Sequence, residues 1–211
     1  MSTPGPDAAR APMRADLQLI ADMVEPQSRV LDIGCGDGAL LDYLVHAKGV
    51  DGRGIEIRQE GVNACVTHGL SVIHGDADED LDDYPNGAFD YAILSRTLQN
   101  TRDPHWVLGE LVRIARYAIV SFPNFGYWRV RWLLVSRGRM PVTELFDDPW
   151  YRSPNIHPCT IKDFEELTNA MGITIARAAP LTKTGAPMGN HVPRSLTNLF
   201  AEQAIFLLTR R

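Results

Sequence analysis

The run Val30-Leu31-Asp32-Ile33-Gly34-Cys35-Gly36-Asp37-Gly38 decides the fold. Its first half is short and rich in β-formers, and it predicts a strand over 29–33. Glycines at 34, 36 and 38 end that strand. From Ala39 to Ala47 the apolar residues Leu40, Leu41 and Leu44 recur at the spacing of one helix face. A strand that turns through glycines into a helix opens an open α/β sheet, in which ligands bind beyond the carboxyl ends of the strands where strand order reverses. Glycine lets the backbone turn sharply and approach a ligand with no Cβ in the way. The helix that follows offers its free N-terminal amides.

Outward from this turn, strand and helix signals alternate every ten to fifteen residues. Strands are predicted at 54–57, 70–74, 89–94 and 117–122, with helices at 59–68 and from Pro104 to Ile114, and an opening helix at 14–24. Such alternation signals a parallel sheet covered on both faces. The end of the chain differs. Thr160 with Asp163 three residues on marks a capped helix start, and strands follow at 173–178 and 204–209. The polar loop between these last strands shows no helical periodicity, which predicts an antiparallel pair at the sheet edge. Residues 1–12 are small and Pro-rich and read as a disordered tail, with a single domain over 13–211.

The chain has 211 residues, 45% hydrophobic and 22% charged, with a formal net charge of -5. An acidic chain lacks the Lys/Arg excess that dominates nucleic-acid binding. No apolar run of about 18 residues is present to span a membrane. Cys35, Cys65 and Cys159 are odd in number and widely spaced, so neither a disulfide framework nor a metal site is expected, and a cytoplasmic location is the simplest reading.

The ligand follows from the acids. A dinucleotide turn would carry its third glycine at position 39, where this chain has Ala39, and it would hold a pyrophosphate beside Asp32 and Asp37. Each like-charge contact near 4 Å costs about 1 kcal/mol in water and roughly 4 kcal/mol at an effective dielectric of 20. A ligand bearing positive charge gains instead. Glu56 closes the second strand about 20 residues on, where an acid grips ribose hydroxyls, and Asp76 in Gly75-Asp76-Ala77 is placed to accept from an adenine amino group.

These motifs, with Gly54-Ile55-Glu56, resemble the class I S-adenosylmethionine-dependent methyltransferases over nearly the whole chain. The resemblance implies a Rossmann-like, doubly wound, seven-stranded sheet, mostly parallel with an antiparallel C-terminal strand. It implies S-adenosylmethionine or S-adenosylhomocysteine as cofactor, held by Asp32, Gly34, Cys35, Gly36, Asp37, Gly38, Glu56, Ile57, Asp76, Ala77 and Ser95. Leu94-Ser95-Arg96-Thr97-Leu98-Gln99, Val120-Ser121-Phe122-Pro123-Asn124-Phe125, Trp150-Tyr151 and Asn155-Ile156-His157 resemble the MetW family of methionine biosynthesis. That family is associated with a MetX-type homoserine O-acyltransferase as partner, and the resemblance leaves methyl transfer by the chain itself open. Arg96 departs from the family pattern, which favours an uncharged polar residue there.

No recognised catalytic constellation follows the fourth or fifth strand. Asn124 and Tyr127 are candidates by type, and His157 is the one candidate general base, although a loop histidine beside a proline, here Pro158, is more often structural. Cys35 near helix amides is a candidate for a lowered pKa, against plain packing in the turn. Residues 124–158 stand out. Phe125, Trp128, Trp132 and Leu133, with arginines interleaved, cover more of a helix than one buried face needs. Both a lid over the cleft and a partner surface fit this pattern. Two functions remain: a partner or activator subunit of the acyltransferase, or a methyltransferase acting on a small soluble metabolite.

Overall fold

A computed structural model describes residues 13–189 and 192–210. The tail read at 1–12 lies outside these residues. Seven strands form one sheet: β1 (Arg29–Ile33), β2 (Asp51–Glu56), β3 (Ser71–His74), β4 (Phe89–Ser95), β5 (Ala115–Pro123), β6 (Ile173–Leu181) and β7 (Gln203–Arg210). Their order is β3-β2-β1-β4-β5-β7-β6. The first five pair in parallel, and β7 runs antiparallel to both β5 and β6. The doubly wound sheet with an antiparallel C-terminal strand is therefore the fold of this chain. β7 fits between β5 and β6, so β6 is the edge.

Side chains alternate across the sheet as the strand period requires. On one face Val30, Ile93, Ile119 and Ile205 pack under α1 (Ala15–Met23) and α2 (Ala39–Lys48). On the other, Leu31, Ile33, Leu94 and Phe122 join α4 (Pro104–Ile114) and α6 (Ile161–Ala170). Here Phe122, Phe164 and Phe206 are fully buried, with ring centroids 4.7–5.8 Å apart. Burying a Phe or Leu side chain contributes about 1.5–3 kcal/mol, so this seam is a main anchor of the C-terminal strands. Helix α3 (Gln59–Thr67) links β2 to β3. Helix α6 starts on the expected capping box: Thr160 Oγ1 accepts from the Asp163 amide at 3.3 Å, and the Asp163 carboxylate accepts from the Thr160 amide at 2.9 Å.

Two elements differ from the sequence expectation. β2 begins at Asp51 rather than at 54. A Cβ at Gly52 would lie 2.7 Å from Leu41 Cδ1 and one at Gly54 2.8 Å from Cys35 Sγ. These glycines let α2 and the turn press onto the strand. A helix, α7 (Arg194–Phe200), occupies the loop read as non-helical. Its seven residues are too few to display a period. Helix α5 (Trp128–Arg137) follows β5.

Candidate functional site

At the carboxyl ends of the strands, β1 lies between β2 and β4, and chain order reverses there. A cleft of about 620 Å³ opens at this point, within the size range of small-molecule sites. It is lined by Gly34 from the glycine turn, by Glu56, Ile57 and Arg58 after β2, by Asp76, Ala77 and Asp78 after β3, and by Ser95, Arg96 and Thr97 at the end of β4. Asn100, Thr101, Arg102 and Pro154 complete the wall. Of the residues expected at the ligand, Gly34, Glu56, Ile57, Asp76, Ala77 and Ser95 face the cleft. Asp32, Cys35, Gly36, Asp37 and Gly38 are absent from its lining and support it from behind or beside.

The turn is held tightly. The amides of Gly34 and Cys35 both donate to the Ile55 carbonyl, at 2.8 and 3.2 Å. Gly34, Gly36 and Gly38 all have φ between +61° and +81°, a region that side chains with a Cβ avoid. A Cβ at Gly34 would lie 2.5 Å from Thr97 Oγ1. Gly36 has open space where its Cβ would be, and its amide donates to Glu56 Oε2 at 2.8 Å. Glu56 Oε1 accepts from the amide and the Nε of Arg58, at 2.9 and 3.2 Å. The carboxylate that closes β2 thus ties the first strand-end turn to the second.

Asp32 is buried beneath the turn. Burial, and secondarily the charge of Glu56, pushes its carboxyl up to about 7. Asp37 points outward and accepts from the Ala39 amide at 3.2 Å, so it serves the start of α2 rather than the cleft. Of the two readings of Cys35, the structure goes against the lowered pKa: burial first, then the Asp32 charge, pushes its thiol up. It packs with Cys65, the sulfurs 3.9 Å apart. Packing within the turn is its role.

The cleft carries charges that sequence spacing alone does not pair. Arg102 meets Asp76 at 2.9 Å, Asp78 at 3.6 Å and Glu79 at 2.8 Å. Arg96 adopts φ +56° and reaches Asp16 on α1 at 2.9 Å and Gln203 Oε1 at 2.8 Å. Asp16 is buried, and burial pulls the Arg96 pKa down against the attraction of that acid. Arg58 and Arg102 gave no motif; Arg96 was visible only as a departure from a pattern.

A family model described as "Methionine biosynthesis protein MetW" matches residues 14–208. The chain belongs to the MetW family. The bifunctional methionine biosynthesis protein MetXA/MetW of Rhodopirellula baltica is 34% identical to this MetW chain over 172 residues, 77% of the chain. The match spans 28% of that longer protein. Among solved structures, a SAM-dependent methyltransferase of Thermotoga maritima, described as a possible histamine N-methyltransferase, matches with a TM-score of 0.66 at 18% identity, over 93% of this chain and 88% of that one. Magnesium protoporphyrin IX methyltransferase of Synechocystis with bound SAH matches at 0.62 and 18%, over 93% and 80%. At that identity the likeness establishes the class I methyltransferase fold.

Asn124, Tyr127 and His157 of this MetW chain are absent from the cleft lining. Asn124 is fully buried and has four partners: its amide donates to the carbonyls of Asn198 and Ala201, and its oxygen accepts from the amides of Gly126 and Ile161. Tyr127 packs with Val130 and Phe146. His157 Nε2 lies 3.2 Å from the Arg102 carbonyl. Helix α5 contributes nothing to the cleft lining, and Pro154 alone represents residues 124–158 there. Along α5 only Val130 is buried; Trp128 is 45% and Trp132 63% exposed, and Leu133 is half-buried. Among the described residues no helix is long and apolar enough to cross a membrane.

Proposed function

We propose that this chain binds S-adenosylmethionine or S-adenosylhomocysteine in the strand-end cleft and acts as partner and activator of a MetX-type homoserine O-acyltransferase. The observation that carries the partner is the relative in which MetXA and MetW are one bifunctional protein. Two domains that work at one site are the kind that become joined, since a linker raises their effective concentration.

The residues fit the ligand. Glu56 makes three hydrogen bonds, and a carboxylate has about four acceptor positions. One ribose hydroxyl takes the open position on Oε2; the other replaces the Nε of Arg58, whose side chain is 68% exposed and free to swing away. At Asp76 an adenine amino group replaces the Arg102 guanidinium. Gly34, Ser95 and Thr97 leave the amino-acid end beside the turn. Bound S-adenosylmethionine supplies an electrophilic methyl group, and His157, the general base expected from sequence, is absent from the cleft lining. That favours the activator over the metabolite methyltransferase. The uncovered tryptophans of α5 supply the docking surface, since aromatic anchors concentrate interface energy.

The test measures homoserine acylation by the acyltransferase with and without this chain. Stimulation is expected, and Trp128→Ala with Trp132→Ala should abolish both stimulation and co-purification. Acylation that ignores the chain overturns the activator reading. In calorimetry Glu56→Ala should weaken S-adenosylhomocysteine binding strongly, each hydrogen bond to a charged acceptor contributing about 1.5–3 kcal/mol. Undiminished affinity removes Glu56 from the site.

A further inference from the structure

The loop after β4 faces two ways. On one side Asn100, Thr101 and Arg102 line the cleft, and the Arg102 side chain rests on Asp76. On the other, the loop's backbone holds a surface segment. The Gln99 carbonyl accepts from the amides of Ile156 and His157, at 2.9 and 3.0 Å. The Arg102 carbonyl accepts from His157 Nε2 at 3.2 Å; a carbonyl has no proton to give, so the ring nitrogen is the donor. The same segment returns to the cleft through Pro154.

Upstream the segment is a compact turn. The amides of Arg152 and Ser153 donate to the Pro149 carbonyl at 2.8 and 3.0 Å, and the Asn155 amide donates to Ser153 Oγ at 3.2 Å. This turn displays Trp150 and Tyr151, 73% and 66% exposed, their rings edge-on at 5.9 Å. A continuous set of bonds therefore runs from the Asp76–Arg102 pair, through Gln99 and His157, to an aromatic pair on the surface. Such a network couples two sites only if it has two arrangements that a ligand biases. The structure holds one of these, Arg102 on Asp76; a ligand amino group on Asp76 would supply the second by releasing Arg102.

We propose that Trp150 to His157 is a strap ordered by the ligand in the cleft, so that occupancy is displayed at the surface by Trp150 and Tyr151. This rests on the nucleoside reading of the cleft. A ligand seated against Asp76 and Pro154 holds the loop and the strap together, and the cost of ordering both is met once, at binding.

Hydrogen exchange on the full chain, with and without S-adenosylhomocysteine, tests this alongside calorimetry. The amides of Arg152, Ser153, Ile156 and His157 should exchange roughly tenfold more slowly with ligand, the scale of one hydrogen bond, while amides within α5 stay unchanged. By reciprocity the strap lends the ligand as much affinity as the ligand lends the strap protection, so His157→Ala should lose most of the strap's protection and up to about tenfold in calorimetric affinity. Calorimetric binding with protection confined to the glycine turn overturns the strap and leaves the ligand reading standing. Full strap protection in His157→Ala overturns the route through that ring. Absence of binding overturns the ligand reading and the strap with it.

Discussion

In the turn between β1 and α2, an added Cβ at Gly34 meets Thr97 Oγ1 at 2.5 Å and one at Gly38 meets Cys65 Sγ at 2.7 Å. Along α5, ten residues long, one side chain is buried and Trp132 is 63% exposed. Packing at Gly34 and Gly38 leaves no room for a methyl group; the second region has its largest side chains in water. Both carry residues singled out from sequence, yet for opposite reasons. The turn is over-determined by its own chain, as a ligand cradle must be to stay preorganised. The helix is under-determined by its own chain, with Val130 its one buried side chain.

The largest expected effect is in the turn. Gly34→Val adds a steric clash with Thr97 to a left-handed backbone, and each alone costs roughly 1–3 kcal/mol. Urea unfolding should show a loss of about 3 kcal/mol or more; a loss below about 1 kcal/mol would mean that the turn relaxes and is not over-determined.

A smaller effect is expected at Asp32. Its carboxyl rises from 3.8 to about 7 in the fold. The protonated acid is thus preferred by the folded state, so this contribution to stability is whole below about 4 and is lost as pH rises through about 7. Asp32→Asn stays neutral throughout. It should match the native chain at pH 4 and be more stable at pH 8, by on the order of 1–3 kcal/mol. Parallel unfolding profiles across pH would show that the native turn already compensates the charge.

The smallest effect belongs to α5. Trp132→Ala should alter the stability of the isolated chain by no more than about 0.5 kcal/mol, as for other exposed positions. A loss beyond about 2 kcal/mol would place the indole in an intramolecular contact and erase the contrast.

Local chemistry was legible in the sequence. The strand at 29–33, the glycine turn, the acid closing β2 and the capping box at Thr160 each announce themselves within a few residues. Long-range pairing was not. Nothing near Arg96 says that its guanidinium reaches Asp16 on α1, or that Arg102 will sit on Asp76 and Glu79. Asp37, which flanks the turn in sequence, is exposed and accepts from the Ala39 amide at the start of α2, a local bond that the sequence reading did not foresee. The start of β2 at Asp51 was hidden too, because the side chains that press on Gly52 and Gly54, Leu41 and Cys35, lie far off in sequence.

The position of β7 inside the sheet has a consequence for biosynthesis. β6 leaves the ribosome before β7, yet apart from a bridge at its end, Leu181 with Pro187, its pairing is with β7. At about 5–20 residues per second, β6 waits a few seconds as an unpaired strand. Its sequence is suited to the wait: Ala176, Arg177 and Ala178 are exposed, the register slips between Ile175 and Arg177, and Pro180 offers no amide. A charge, a bulge and a proline each discourage a stray strand from pairing along an open edge. In the finished sheet the same three features protect the outer side of β6 permanently, so one short stretch guards the nascent chain and the mature protein alike.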